Sequence, residues 1–335
     1  MEYRILGKTG LKISRLGFGG IPIQRIDAEG TKVLVHQMLE ACINYIDTAR
    51  GYTVSEEFLG YALEGIRDKF VIATKSMSRT KEAMAADIEI SLKNLRTDYI
   101  DLYQIHNATP EQLEQVMAPG GALEALQEAK AAGKIGHIGL TAHSLETFKL
   151  ALNLDWVETF MFPYNIVETQ AEKLIAECAK RNIGFIDMKP LAGGAIEDAT
   201  LALRYICAND AVTVVIPGMA EVRELEQNLA AVNDTAPITN EEKAAFLEVR
   251  NQLGTNFCRR CNYCQPCAAG INISGCFLFD GYLQRYGLGE WAKGRYDAMP
   301  KHAGDCIGCG ACEARCPYNL PIRDMLKKVA ERFGH

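Results

Sequence analysis

Nine of the twelve cysteines in this 335-residue chain fall between Cys258 and Cys316, while only Cys42, Cys178 and Cys207 precede them. Such crowding needs cross-links or metal, so the chain is expected to have two parts. Charge divides at the same place: residues 258–335 hold 11 Lys/Arg against 7 Asp/Glu, net +4, leaving 25 against 35, net −10, for residues 1–257. The expected boundary is therefore a large module over 1–250 and a small one over 251–335. The opening MEYRILGKTG carries Glu2, Arg4 and Lys8 where a signal peptide needs an apolar run, and no later run reaches the roughly 20 apolar residues of a membrane span. A cytoplasmic setting is expected, with no membrane partner. Reducing conditions there make clustered cysteines metal ligands before disulfides. The overall net charge of −6 also argues against nucleic acid as the main partner.

The cysteine spacing narrows the metal. Cys306, Cys309, Cys312 and Cys316, followed by Pro317, have the spacing of a bacterial ferredoxin half-site that holds a 4Fe–4S cubane. Gly308 and Gly310 let the chain wrap tightly round such a cluster. A structural zinc site needs only two Cys-x₂-Cys pairs and leaves the additional cysteines unexplained. The earlier run, Cys258, Cys261, Cys264 and Cys267, is one residue shorter before its last cysteine and has Ala268 in place of proline. It resembles the first half of a two-cluster ferredoxin. That resemblance implies crossed ligation: Cys258, Cys261, Cys264 and Cys316 on one cluster, Cys306, Cys309, Cys312 and Cys267 on the other. Cys276 is then the spare thiol, with Cys267 as its competitor for a ligand position.

The larger module alternates short apolar runs with amphipathic stretches. Strands are predicted at Ile13–Phe18, Tyr45–Thr48, Phe70–Thr74, Ile100–Ile105, Gly136–Leu140, Thr159–Phe162, Ile183–Met188 and Val212–Ile216. Helices are predicted over Thr31–Asn44, Lys81–Leu95, Gly121–Ala132, Glu168–Arg181 and Glu221–Val232. Eight such units in one domain fit a (β/α)8 TIM barrel better than a doubly wound sheet, whose glycine fingerprint is missing. Gly7–Leu11 reads as a hairpin turn at the barrel bottom. Cys42, Cys178 and Cys207 read as small core residues on helix faces, and Glu56 and Glu57 as solvated surface. The stretch Asn107–Gly120 carries no legible signal.

Chemistry in such a barrel belongs at the C-terminal strand ends. Asp47, Lys75 and His106 end the second, third and fourth predicted strands, and Tyr52 follows the second. A cationic lysine lowers the pKa of a nearby phenol, and an aspartate keeps that lysine charged and oriented. These four residues, in the contexts Asp47-Thr-Ala-Arg-Gly-Tyr52, Ala73-Thr-Lys75 and Asp101-Leu-Tyr-Gln-Ile-His106, resemble the catalytic tetrad of the aldo-keto reductases. Leu16-Gly-Phe-Gly-Gly20, Lys189-Pro-Leu-Ala-Gly-Gly194 and Ile216-Pro-Gly-Met219 resemble further markers of that family.

The resemblance implies reduction of an aldehyde or ketone by NADPH or NADH, or oxidation of the alcohol. Tyr52 is then the proton donor, Lys75 and Asp47 tune it, and His106 orients the carbonyl. It also implies cofactor contacts from Gly19, Gly20, Ile21, Thr141, Lys189, Leu191, Pro217, Gly218, Arg223, Gln227 and Asn228. Members usually hold the nicotinamide amide with Ser-Asn and Gln and stack an aromatic on the ring. Here Thr141-Ala142, Met161 and Met188 stand at those places, and Glu224 lies where a phosphate-binding cation is common. The C-terminal part, with Gly270-Ile271-Asn-Ile273 and Asn319-Leu-Pro-Ile322, resembles the iron–sulfur extension of a subset of the family. The two clusters are expected either to exchange electrons with an external ferredoxin or other carrier, or to brace the fold. The rival expectation is an electron-transfer protein whose barrel no longer uses nicotinamide.

Overall fold

The computed structural model describes every residue except Thr255, Cys261 and Pro317. The chain forms two compact units, Met1–Leu191 with Asp198–Ile238, and Ala192–Glu197 with Thr239–His335. The division at 238/239 precedes the expected 250/251, because the helix Asn240–Leu253 packs with the second unit although the cysteines begin only after it.

In the first unit, β1 (Tyr3–Ile5) and β2 (Lys12–Ser14) pair antiparallel, joined through Gly7–Leu11 as expected. Eight parallel strands follow among the described residues: β3 (Phe18–Gly19), β4 (Tyr45–Asp47), β5 (Val71–Ser76), β6 (Ile100–Ile105), β7 (Ile135–Thr141), β8 (Thr159–Pro163), β9 (Gly184–Met188) and β10 (Val214–Ile216). Each pairs with the next in chain order, and the bridges Leu16↔Val215 and Gly19↔Gly218 bring β10 back beside β3. The sheet is thus a nearly closed (β/α)8 TIM barrel. The close pairing at Gly19 depends on the missing side chain, since a Cβ there would lie 2.9 Å from the Ile216 carbonyl oxygen.

The expected first strand, Ile13–Phe18, is in fact divided. Ile13 and Ser14 belong to the hairpin, Phe18 to the barrel, and Arg15 to Gly17 join them. One continuous apolar run serves two layers, which periodicity alone does not separate.

Strand alternation sets two cores. Tyr45, Ala73, Leu102, Met161, Ile186 and Val214 point into the barrel, where Leu6 and Ile13 of the hairpin plug its lower end. Their neighbours Ile46, Ile72, Tyr103, Phe160 and Phe185 face outward onto the helices, with Phe148 stacked 4.1 Å from Phe160. Asn107–Gly120 is ordered where no signal was read. It holds the helix Pro110–Met117, started by a Thr109/Gln112 capping box.

Two polar expectations are corrected. Cys42 is exposed in a turn with φ of 60°, beyond the end of the helix Ala28–Glu40, so it is no core residue. Cys178 is buried as expected, and Cys207 is half-buried. Glu56 is 1% exposed rather than solvated, whereas Glu57 does face solvent. The Glu56 carboxylate accepts from Arg50 at 2.5 Å, Thr74 at 2.7 Å and Ser91 at 2.8 Å, tying the helix Ser55–Ala62 to β5 and the helix Lys81–Asn94. Adjacent glutamates on a helix point in different directions, and here only one points inward.

The second unit has the helices Asn240–Leu253, Ile273–Arg285, Gly289–Asp297, Ala311–Ala314 and Ile322–Phe333. Its core gathers Ile271, Ile273, Tyr296, Leu326, Val329 and Phe333. Tyr296 stacks on Phe333 with centroids 4.0 Å apart, and its hydroxyl donates to the His335 carbonyl while accepting from the Ala303 N–H. Arg332 pairs with Asp280 at 2.5 and 2.7 Å. No described helix is long and apolar enough to cross a membrane.

Replacing Glu56 by Ala removes the buried carboxylate shared by Arg50, Thr74 and Ser91 and leaves Arg50 with Asp87 at 3.6 Å. The expected cost is about 3–5 kcal/mol, read as a lower denaturant midpoint at unchanged slope. A loss below about 1 kcal/mol would show that the network carries no weight.

Candidate active site and cysteine cavities

The C-terminal ends of β4, β5 and β6 bring the four expected catalytic residues together. Asp47 and Lys75 are the last inward positions of β4 and β5, following Tyr45 and Ala73 by two residues, and both are 2% exposed or less. The Lys75 ammonium donates to Asp47 Oδ1 and, at 2.8 Å, to the Thr48 carbonyl. Burial pushes the Asp47 carboxyl up and the Lys75 ammonium down, while their contact pulls each back toward its charged form.

Tyr52 is carried on the loop after β4. Arg50 N–H donates to the Lys75 carbonyl at 3.0 Å, and Tyr52 N–H donates to the Ala49 carbonyl at 3.0 Å, so the loop folds over the end of β5. Lys75 Nζ consequently lies 4.9 Å from the Tyr52 ring centroid. His106 stands edge-on to the same ring, with centroids 6.2 Å apart and planes at 88°. Burial, followed by the charges of Lys75, Arg79 and Lys189, holds the His106 imidazole well below its ordinary range. Its Nδ1 is shielded from solvent and has no hydrogen-bond partner among the described residues. Arg79 donates to the His106 carbonyl at 2.7 Å and to Gln112 at 3.2 Å.

One residue of this group was missed in the sequence. Gln104 is fully buried on β6, and its Nε2 donates to Asp47 Oδ2 at 3.1 Å. The available signal was parity: Leu102, Gln104 and His106 share one face of the strand, so a polar residue two before His106 must point into the barrel.

The expected nucleotide residues are spread round the same rim. Gly19 ends β3 and Gly20 and Ile21 follow it, while Pro217 and Gly218 follow β10, with Gly19 bridged to Gly218. The Thr141 hydroxyl at the end of β7 accepts from the Asn107 N–H at 2.8 Å. Lys189 follows β9 with φ of 59°, its carbonyl accepting from Asn165 at 3.0 Å, and Leu191 lies two residues on. Met161 and Ala142 are buried. At the helix Val222–Asn233, the Glu224 carboxylate already accepts the N–H groups of Ala220 and Glu221 at 2.7 and 3.2 Å. These amides are occupied by the helix's own cap. Arg223 and Gln227 are exposed on that helix, and Asn228 is buried.

A family model for the aldo/keto reductases matches residues 15–201. The chain belongs to the aldo/keto reductase family. Within this family member, residues 257–321 match a 4Fe–4S dicluster domain, so the C-terminal part is an iron–sulfur domain. The L-galactose dehydrogenase of Arabidopsis thaliana is 27% identical over 308 residues, covering 74% of this chain and 95% of that protein. The aldo-keto reductase YhdN of Bacillus subtilis is 32% identical over 201 residues, covering 54% of this chain and 59% of that one. The holo form of aldo-keto reductase AKR11C1 from Bacillus halodurans superposes with a TM-score of 0.65 at 26% identity, over 74% of this chain and 96% of that one. The protein is therefore an oxidoreductase of the aldo-keto reductase type with an iron–sulfur domain.

The reductase's clustered cysteines gather round two cavities. Cys258, Cys264 and Cys316 line one, together with Tyr318 and Phe277. Cys267, Cys306, Cys309 and Cys312 line the other. The two runs thus exchange their last cysteines, and the donor sets suit iron–sulfur cubanes. Cys261 and Pro317, both part of the expected motifs, lie outside the described residues. Gly308 and Gly310 adopt φ of 70° and 74°, the left-handed turns expected of them. Arg315 pins the runs to each other by donating to the carbonyls of Cys264, Gln265 and Pro266 at 3.1, 3.2 and 2.8 Å. Cys276 lines neither cavity; it is buried in the helix Ile273–Arg285, and burial pushes its thiol up to about 12.

His106 gives a direct test of the electrostatics. Its depressed folded pKa means that the unfolded chain binds more protons below about pH 6.5, so its contribution to stability is present above that pH and lost on acidification toward the folded value. NMR of the labelled imidazole should find it neutral at pH 6; half-protonation near pH 6.5 would contradict the described burial.

Proposed function

We propose that the barrel carries out nicotinamide-dependent reduction of an aldehyde or ketone, or the reverse alcohol oxidation, with Tyr52 as proton donor. The observation that supports this most directly is the placing of Lys75 Nζ and the His106 ring against one phenol, at 4.9 and 6.2 Å from its centroid. When bound, the reduced nicotinamide supplies hydride to the carbonyl carbon. Tyr52 delivers the proton to the carbonyl oxygen. Lys75, held charged by Asp47, favours loss of that proton from the phenol, and neutral His106 holds the carbonyl oxygen by a hydrogen bond. Thr141, Lys189, Leu191 and the rim from Gly19 to Ile21 and at Pro217 and Gly218 hold the nucleotide. Arg223, Gln227 and Asn228 lie toward its adenosine end. Glu224 repels a ribose phosphate while exposed Arg223 attracts it, so the nucleotide is NADPH or NADH. Sugars and small hydroxyaldehydes head the substrate panel, given the likeness to an L-galactose dehydrogenase.

Tyr52→Phe should lower turnover by about 10²–10⁴-fold while nicotinamide binding is kept. Retained turnover would remove Tyr52 as the acid. A second reading draws on buried Ala142 and Met161, which replace the family's amide-binding side chains. In it the barrel has lost its nucleotide and the protein only transfers electrons, and failure to bind either NADH or NADPH would favour it.

For the C-terminal domain we infer two 4Fe–4S clusters, ligated by Cys258, Cys261, Cys264 and Cys316, and by Cys306, Cys309, Cys312 and Cys267, with Cys276 spare. The exchanged cysteines lining the two cavities support this set. When bound, the clusters supply one-electron chemistry or a structural brace, and an external ferredoxin or similar carrier in the cytoplasm is the partner in the first case. Anaerobic analysis should find about eight irons per chain in the wild type and in Cys276→Ala, and about four in Cys267→Ser. Zinc without iron would overturn the assignment. Cluster spectra that never respond to substrate or nucleotide would leave the brace.

A further inference from the structure

The Asp47 carboxylate divides its two oxygens between two donors from two strands. Oδ1 receives the Lys75 ammonium from β5, and Oδ2 receives Gln104 Nε2 from β6 at 3.1 Å. Lys75 and Gln104 are register partners on these strands. The Gln104 amide points its nitrogen at Asp47 because only that end donates to a carboxylate. Its Oε1 is buried without a hydrogen-bond partner among the described residues. A buried unsatisfied carbonyl is costly, and an apolar side chain at the same place would avoid that cost. The space is made on the next strand, where a Cβ at Gly139 would lie 2.9 Å from Gln104 Cγ and 2.3 Å from Thr159 Oγ1. A glycine on β7 and an unsatisfied amide on β6 thus serve one hydrogen bond.

We propose that Gln104 is a positioning residue of the reaction: its hydrogen bond to Asp47 Oδ2 keeps the carboxylate ionised and oriented, and thereby sets the charge that Lys75 presents to Tyr52. Gln104 acts through Asp47, the carboxylate to which it donates. Without its donor, Asp47 draws more strongly on the Lys75 proton. Lys75 then presents less positive charge to Tyr52, and the phenol holds its proton to higher pH. This inference rests on the role proposed for Tyr52.

The test is the pH profile of carbonyl reduction by the cluster-replete, full-length protein. Gln104→Met keeps volume and removes the donor. Its alkaline limb should move up by about one pH unit, with kcat lowered about tenfold at neutral pH and the KM for nucleotide unchanged. Isotope-labelled tyrosine NMR, with Tyr52→Phe to assign the signal, should show the same upward shift without any turnover. In an Asp47→Asn background, Gln104→Met should produce no further shift. An unmoved limb and an unmoved tyrosine titration, or equal shifts in both backgrounds, would overturn the proposal. Should Gln104→Met not fold, Gly139→Ala displaces the same side chain and must give an upward shift in the tyrosine titration. Retained turnover in Tyr52→Phe would instead overturn the underlying reading, whatever Gln104 does.

Discussion

The first unit depends on keeping an ion pair, Asp47 with Lys75, almost wholly out of water at the mouth of its barrel. Removing two charges from solvent is expensive unless every remaining lone pair and proton finds a partner. Groups on three strands supply such partners: β4 carries the carboxylate, Thr48 just after it a carbonyl, β5 the ammonium and β6 the Gln104 amide. The backbone bond from Arg50 to the Lys75 carbonyl then fixes where Tyr52 stands relative to the buried charge.

Around this pair the barrel keeps a second polar layer on its outer face. Glu56, Arg50, Thr74 and Ser91 join two helices to β5, so the loop carrying Tyr52 is held from both faces of the sheet. His106 is held differently, through its backbone carbonyl by Arg79 and by edge-on packing of its ring against Tyr52.

The second unit faces a different physical problem, since its apolar core is small. Tyr296, Phe333 and Leu326 supply packing, and Arg315 ties the two cysteine runs together through three backbone carbonyls. The cysteine-lined cavities adjoin that core, which itself includes Cys264, Cys276 and Cys312.

The sequence by itself determined the fold class and most of the site, because both are written in local patterns. Strand–helix alternation, cysteine spacing, and Asp47, Lys75 and His106 at strand ends are all periodic or positional signals. Gln104 was legible only through strand parity, and Glu56 not at all, since a charged residue beside another charged residue looks solvated until its helix is rotated against a neighbour. Cys42 misled for the converse reason: it follows an amphipathic helix in phase, but the helix ends before it. Tertiary structure set Cys258, Cys264 and Cys316 round one cavity and Cys267, Cys306, Cys309 and Cys312 round another, with Cys276 lining neither. It also decided that one carboxylate would be shared between Lys75 and Gln104. Both depend on groups far apart in the chain meeting at hydrogen-bonding or packing distance, and no one-dimensional pattern encodes such distances.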